Sequence, residues 1–437
     1  MIVVGGGISG LLCGLITGAP VYEQKNYPGG LLASYCLNPY TGEKHHCKDK
    51  GDDVAFFEIG GGHWLWGLER NEAIYRILTS FSRFNQYLRR SSVYLSDYDL
   101  FVTYPLQYHI KYLPKDLRDK ALEDVITSRK ENENVYHSEL TFAEFLRITF
   151  GETLYKVFFE PYNYLYTAGL LYEVSPPRRM KILDDVETII RGSNEDISKA
   201  VGYNACFYYP VIGFGPLMWR LCDEVKCYLE QRVTFIDINR RELTINNDHT
   251  VKYDILYVAI PLLEILKINN MKDLTKNHDP YTSVLVVNVL AKKGEKTPKD
   301  HWIYVSRSKS GFHRIGYYSN VDKMFLPVKF RIGEYVSAYI EKTLKGGFAP
   351  KNLDAEATKV LDEVLELGLI GEAIAYDYNF IEIAYTWQRP GSTWIDNAIH
   401  SLLNFNIIPI GRYANWGKVE GIVESMEDVL QRVHFHT

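Results

Sequence analysis

Met1-Ile2-Val3-Val4-Gly5-Gly6-Gly7-Ile8-Ser9-Gly10-Leu11-Leu12-Cys13-Gly14-Leu15-Ile16 opens the chain, and Val21-Tyr22-Glu23 follows shortly after. The apolar start suits a buried parallel strand, and the Leu/Ile-rich run after Gly10 suits a helix packed on a sheet. Gly5, Gly7 and Gly10 fit G-x-G-x-x-G. The first glycine serves a tight turn, the second lets backbone approach a pyrophosphate, and the third allows close helix–strand contact. A helix beginning at Ile8-Ser9 offers unpaired N–H groups and the positive end of its dipole to a diphosphate. Glu23 closes the second apolar run where a carboxylate would accept a ribose hydroxyl. The pattern follows a strand, opens a helix and is followed by an acid, which predicts dinucleotide binding.

The choice of dinucleotide rests on two further glycine clusters. Gln24 leads into Tyr27-Pro28-Gly29-Gly30-Leu31, and a third cluster stands at Gly60-Gly61-Gly62-His63-Trp64. Three glycine-rich approaches so early in the chain suit a long, enclosed cofactor better than a nicotinamide that comes and goes. The expectation is FAD.

A chain of 437 residues can bury more than one core, and two interleaved domains are expected. A formal net charge of −5 gives no electrostatic basis for a nucleic-acid partner. The 33 tyrosines, apolar rings with polar tips, suit a deep, wet pocket or an interface, or reflect compositional bias. The six cysteines, Cys13, Cys36, Cys47, Cys206, Cys222 and Cys227, form no recognised framework. His45-His46-Cys47 with Cys36 upstream matches no zinc spacing, so a solvated loop and no metal are expected. With a strand at the first residue and no apolar run long enough for a bilayer, a cytoplasmic protein without a leader or membrane span is expected. Nothing in the sequence signals an oligomeric state.

Along the chain, 1–35 reads as β–α–β, 36–56 as an exposed excursion, 54–59 as a strand and 68–90 as helix. Between 91 and 210, Tyr and Phe crowd among short strands, followed by helices over 115–131 and 141–159. Thr141 and Glu144 make a capping box for the second of these helices. Phe159-Glu160-Pro161-Tyr162-Asn163-Tyr164-Leu165-Tyr166 is aromatic enough to wall a pocket, or to pack a core. Ser175-Pro176-Pro177-Arg178-Arg179 places two guanidinium forks after a stiff turn, free for a ligand or for a surface salt bridge. A helix over 217–230, a strand from Val233 and a hairpin across Asn246-Asn247-Asp248 come next. Asp254 to Pro261 returns to the nucleotide sheet. Residues 281–345 are strand-rich, 354–369 form an amphipathic helix, and Ile407 to Gly411 is a buried strand ending in a glycine turn before a last helix. The predicted fold is α/β (α+β overall), a Rossmann-type FAD-binding domain with an interleaved, aromatic-rich substrate domain. Its expected parts are 1–90, 205–275 and 395–437 for the cofactor, and 91–204 and 276–394 for the substrate.

Four blocks carry a resemblance: Gly5 to Glu23, Gly60 to Trp64, Tyr208 to Leu217, and Ile408 to Trp416. With weaker support from Pro161-Tyr162-Asn163, His301 to Tyr304 and Phe312 to Arg314, the chain resembles the FAD superfamily of flavin amine oxidases, protoporphyrinogen oxidase, phytoene desaturases and UDP-galactopyranose mutase. It looks most like the mutase branch. The resemblance implies that Gly5, Gly7 and Gly10, with Ile8, Ser9, Gln24, Gly30 and Leu31 nearby, meet the cofactor and that Glu23 binds its ribose. It further implies that Val233 backbone meets adenine, that Gly411-Arg412 holds the pyrophosphate and flavin end near Trp416, and that His63, after Gly61 and Gly62, sits over the ring. Arg179 and Arg314 resemble arginines that grip a nucleotide-sugar diphosphate. Tyr166-Thr167-Ala168-Gly169 and Tyr413-Ala414-Asn415-Trp416 depart from the mutase pattern.

Two chemistries follow. One is a mutase-like rearrangement of a nucleotide sugar with no net redox, with Arg179 and Arg314 neutralising the departing diphosphate and Tyr162, Tyr166, Tyr317 and Tyr385 as walls. The other is an oxidase or dehydrogenase removing hydride from an amine or similar small substrate, with Tyr385, Trp387 and Trp416 as an aromatic cage. A non-catalytic flavin protein is the lesser alternative.

Overall fold

The computed structural model describes residues 1–132, 139–177, 185–198, 202 and 204–436. The opening strand, Ile2–Val4, lies in the middle of a five-stranded sheet ordered Cys227–Tyr228, Val21–Tyr22, Ile2–Val4, Leu256–Val258, Ile407–Pro409. All four neighbour pairs are parallel. Ile2–Val4, Leu256–Val258 and Ile407–Pro409 are buried throughout, as continuous apolar runs in a parallel sheet should be. From Ile2–Val4 the chain first crosses to Val21–Tyr22 on one side, and much later Leu256–Val258 joins on the other. The carboxyl end of Ile2–Val4 is therefore a topological switch point, where open α/β sheets leave a crevice for ligands.

A second sheet has seven strands, ordered Ala373–Thr386, Tyr281–Lys292, Tyr335–Lys345, Phe312–Tyr317, Trp302–Val305, Ser91–Leu95, Leu100–Thr103. It is antiparallel except where Trp302–Val305 runs alongside Ser91–Leu95. Alternation divides its two faces. Ala338 and Ile340 pack with Ile315 and Tyr317 in an apolar layer beneath the helix Leu353–Glu366, while Tyr339, Glu341, Arg314 and Gly316 point the other way.

Several expectations are corrected. The span 68–90 is a helix, Glu72–Phe81, followed by a strand, Phe84–Leu88, paired with Cys206–Pro210. The helix placed over 217–230 is Phe214–Asp223, and Cys227–Tyr228 joins the parallel sheet. The 36–56 excursion is a hairpin: Ser34–Leu37 pairs with Ala55–Glu58, both buried, with Lys44–His45 on the other edge. The cysteines do include a pair, because Cys36 and Cys47 are disulfide-bonded with Cα atoms 5.9 Å apart. The long strand Ala373–Thr386 and the helix Trp394–Leu403 had no sequence-based expectation. By contrast, the helix Lys115–Glu131 and the Thr141–Glu144 capping box stand where expected. Glu242–Ile245 turns into His249–Lys252 across Asn246-Asn247-Asp248, as the hairpin signal required. Among the described residues, no helix is long and apolar enough to cross a membrane.

Glu58 ends the strand that leads into Gly60-Gly61-Gly62-His63, and it is fully buried. Ser34 Oγ donates to it at 2.7 Å, Tyr209 donates its hydroxyl, and Gly215 N–H donates to Ser34 Oγ at 2.7 Å. Burial raises the Glu58 carboxyl to about 7, against the lowering effect of the Tyr209 and Ser34 hydrogen bonds. The folded state thus keeps a proton that the unfolded chain gives up in the ordinary carboxylate range. The stability it contributes is full below that range and is lost as pH rises through about 7. The loss from this one group is on the order of 3 kcal/mol. Glu58→Gln should flatten the pH dependence of Tm between weakly acidic and weakly alkaline buffer; an unchanged slope would show that Glu58 titrates normally.

Candidate active site

The three motif glycines meet three physical demands. Gly5 has φ +101°, a left-handed conformation that only glycine adopts cheaply, and its N–H donates to Tyr22 O at 2.8 Å. A methyl group on Gly10 would collide with the Gly5 carbonyl, so the helix Ile8–Thr17 lies directly against the turn. A methyl on Gly7 would meet nothing within 4 Å. Gly7 is also the cap of that helix; among the described residues no side chain caps its free N–H groups, and the first turn holds no acid. An open space at an uncapped, dipole-positive helix end fits a diphosphate.

Other elements close around this cradle. Gly29 N–H donates to Gly6 O at 2.7 Å, and a methyl on Gly30 would lie 3.6 Å from Gly7 Cα. On the far side Gly411 packs on Ser9, so closely that a methyl there would strike Ser9 Oγ. Glu23 is buried, with one carboxylate oxygen accepting Gly6 N–H at 2.6 Å and the other accepting Lys25 N–H at 2.8 Å. Gln24 is exposed beside it. Gln231 N–H donates to Glu23 O at 2.8 Å, which brings the start of the strand Val233–Asp237 close to Glu23.

A cavity of about 440 Å³ lies between the glycine loop at 60–62, the seven-stranded sheet and the helices of 142–166. That volume suits a small-molecule site. One wall is a chain of aromatic rings. Tyr104 and Tyr304 have centroids 4.8 Å apart, Tyr304 meets Tyr162 at 5.4 Å, and Tyr162 stacks with Tyr166 at 5.9 Å. Tyr166 then meets Tyr385 edge-on at 4.8 Å and Trp387 at 5.4 Å. Burial raises the Tyr166 phenol to about 12, so it stays a neutral hydroxyl. Tyr162, placed within the aromatic run, is on this wall. Tyr317 is not; it sits on the opposite face of the sheet, donating to Leu369 O at 3.1 Å.

His63 lines the cavity, with Nδ1 3.3 Å from Gly61 O. Burial lowers its pKa to about 4, so the ring is neutral at neutral pH. The neighbouring glycines make room for the sheet: a methyl on Gly62 would strike the Tyr339 ring, and one on Gly61 would come within 2.9 Å of Glu341 Oε1. Arg412 closes the cavity near the cradle. Its guanidinium lies 5.9 Å from the Tyr385 ring centroid and 5.5 Å from that of Tyr413, and it donates to Glu420 O at 3.2 Å. Trp416 donates its indole N–H to the Trp387 backbone carbonyl at 3.0 Å, which fixes one cavity-lining ring to the backbone of another cavity-lining residue.

Arg314 reaches the cavity from the strand Phe312–Tyr317, and one of its terminal nitrogens donates to both oxygens of Glu341, at 2.6 and 2.5 Å. Glu341 was not foreseen. Its side chain is 2% exposed, and Tyr385 also donates its hydroxyl to it at 3.3 Å. Burial alone would raise the Glu341 carboxyl, but the Arg314 charge and the adjacent His313 bring it down to about 2. The pair therefore places a fixed cation and a fixed anion side by side in an aromatic chamber. Removing one partner strands the other. Glu341→Ala should cost about 3 kcal/mol of stability. The double variant Glu341→Leu/Arg314→Met should recover most of that loss, as read by denaturant melts; additive losses would mean the pair is not coupled.

Of the residues singled out from sequence, Leu31, Gly62, His63, Arg314, Tyr385, Arg412 and Trp416 line one cavity. Gly5, Gly7, Ile8, Ser9, Gly10, Glu23, Gly30 and Gly411 lie together around the head of the helix Ile8–Thr17, Gln24 is exposed beside Glu23, Val233 packs in the core with Ile2 and Val4, and Gly61 faces Glu341. Arg179, like Arg178, lies outside the described residues, though Ser175, Pro176 and Pro177 just before them line the cavity.

A switch-point glycine cradle leading into a chamber under an antiparallel sheet is a fold this chain shares with several solved enzyme structures. A solved structure of reduced UDP-galactopyranose mutase matches with a TM-score of 0.83 at 20% identity, covering 100% of this chain and 93% of the other. Cyclohexylamine oxidase from Brevibacterium oxydans matches at 0.60 and 13% identity, covering 100% and 98%. A CLA-producing fatty acid isomerase from P. acnes matches at 0.61 and 14%, covering 99% and 97%. No protein-family model matches the chain.

Proposed function

We propose that the chain is an FAD-dependent enzyme that acts on a nucleotide sugar without net redox, in the manner of a UDP-galactopyranose mutase. In this reading 1–90, 205–275 and 395–437 hold the cofactor, and 91–204 with 276–394 hold the substrate. The observation that carries it is the placement of Arg314 in a tyrosine-walled chamber directly beyond the cradle, on a fold matched end to end by the mutase structure.

The residues divide the work as follows. The free N–H groups at Ile8 and Ser9, with the space at Gly7, fit the FAD diphosphate; Glu23 and the Val233 backbone fit its adenosine; and Gly62, His63 and Arg412 fit its ring end. When reduced, flavin supplies a nucleophilic nitrogen for sugar rearrangement; when oxidised, it supplies a hydride acceptor. Arg314 and Arg412 offset charge on a departing diphosphate. Tyr162, Tyr166 and Tyr385 exclude water while presenting hydroxyls to sugar oxygens. His63, neutral well below physiological pH, packs and orients but delivers no proton.

One observation favours an amine oxidase instead. Glu341 is ionised in the same chamber as Tyr385, Trp387 and Trp416, an arrangement that suits a substrate cation. Anaerobic mixing separates the readings. Bleaching of oxidised flavin by an amine would support the oxidase and refute the mutase. A spectral change when UDP-galactose meets dithionite-reduced protein, with no turnover of amines, is the result expected here.

A further inference from the structure

We propose that the Cys36–Cys47 bond is a reversible redox clasp, opened by dithiols, that pins the segment carrying Tyr27 beside the phosphate cradle. Its placement follows from the hairpin register. Cys36 lies opposite His45 on one edge and Phe56 on the other, and Cys47, two residues past that pairing, folds back to reach it. Both sulfurs are buried, whereas the span they enclose is exposed from Tyr40 to His45. That span is held by an Asn38 side-chain turn that accepts Tyr40 and Thr41 N–H groups, by pairing of Lys44–His45 with Cys36-Leu37, by a Tyr40–Phe330 ring contact 6.4 Å between centroids, and by a Lys44–Asp377 ion pair 2.5 Å long.

The residues flanking Cys47 are where the clasp acts. The His46 ring stacks on Tyr27 with centroids 3.6 Å apart, and the Lys48 ammonium lies 4.3 Å from the Trp219 ring centroid on the helix Phe214–Asp223. Tyr27 runs directly into Pro28-Gly29-Gly30, and Gly29 bonds to Gly6 and pairs with Gly7. The covalent bond therefore holds His46 on Tyr27, and Tyr27 begins the loop that closes the cradle. Opening the bond removes the short-loop constraint and leaves only non-covalent contacts, the strand pairing of Lys44–His45 and those ring contacts, to hold the segment.

The chemistry balances with a dithiol reductant. One of its thiolates attacks a cysteine sulfur, the Cys36–Cys47 bond breaks, and the other cysteine leaves as a thiolate that takes a proton. The reductant's second thiol then closes its own disulfide and frees the first cysteine as a thiol. Two electrons and two protons pass from reductant to protein. His45 stands within reach of both sulfurs, so the opened trio could instead take up a zinc ion, an outcome the test must separate.

The test uses the full-length protein as purified. Blocking thiols before and after dithiothreitol, followed by peptide mass analysis, should show Cys36 and Cys47 blocked only after reduction, independently of Cys222 and Cys227. Reduction should speed tryptic cleavage after Lys44 and Lys48 by roughly tenfold or more, the response of a local opening released from a short-loop cross-link. It should also hasten FAD release severalfold, followed by flavin fluorescence. Cys36→Ser and Cys47→Ser should cleave at the fast rate and ignore dithiothreitol. Cys36 and Cys47 open to alkylation without reductant, or cleavage indifferent to it, would overturn the clasp. So would one zinc per reduced chain that is lost in His45→Ala. The clasp's link to the cradle rests on the FAD reading; if no flavin binds in either state, that reading fails while the cleavage result still judges the clasp.

Discussion

Gly7→Val yields folded protein that carries no flavin. The position is the most discriminating in the cradle because it separates folding from binding. Gly5 requires a left-handed backbone and Gly10 touches the Gly5 carbonyl, so substitutions there damage the fold itself. At Gly7 the backbone is extended, with φ −73°, and a side chain has open space around it, so valine is tolerated by the protein alone. The space it fills is the one assigned to the diphosphate, in front of the free N–H groups of the helix Ile8–Thr17. Loss of that contact, together with a steric block, should cost at least roughly 4 kcal/mol of cofactor affinity, about a thousandfold. Circular dichroism and Tm near those of the wild-type apoprotein, with no absorbance in the flavin region, are the expected readings. A yellow Gly7→Val protein would place the diphosphate elsewhere.

The second large effect falls on Arg314. Arg314→Lys keeps a cation beside Glu341 and so keeps the fold, but gives up the planar fork that can hold Glu341 with one nitrogen and a ligand oxygen with another. Affinity of the reduced protein for UDP-galactose should fall by about 2–3 kcal/mol, on the order of a hundredfold. The melting curve should stay close to wild type. Arg314→Ala should lose both binding and stability, because it leaves the Glu341 carboxylate buried without its partner. Unchanged affinity in Arg314→Lys, measured by titration of the reduced flavin spectrum, would remove Arg314 from the substrate site and weaken the mutase reading with it.

The half of the fold built on the parallel sheet was legible because local sequence and tertiary demand coincide there. Ile2–Val4, Leu256–Val258 and Ile407–Pro409 are buried on both faces, and an unbroken apolar run is what such strands must be. The chamber was only half legible. His63 is announced by its glycines and Arg412 by the turn before it, but Glu341 lies in Tyr335–Lys345, where both faces are covered and polar residues do not alternate visibly. Its neighbour Arg314 is three strand residues from Tyr317, and period-two geometry puts those two side chains on opposite faces. Applying that rule to the strand would have removed Tyr317 from the pocket wall at the outset. Ala373–Thr386 escaped notice for another reason. It is a half-exposed edge strand whose Tyr, Asp, Asn and Glu residues dilute the apolar pattern. The Cys36–Cys47 bond depends on hairpin register, which spacing along the chain does not reveal.

The most direct measurement is the cofactor content of the purified full-length protein, read by absorbance and by chromatography of what denaturation releases. One FAD per chain, released without proteolysis and absent from Gly7→Val, is the predicted result. A protein that binds no flavin even when FAD is added, or that takes up a nicotinamide dinucleotide in its place, would contradict the account.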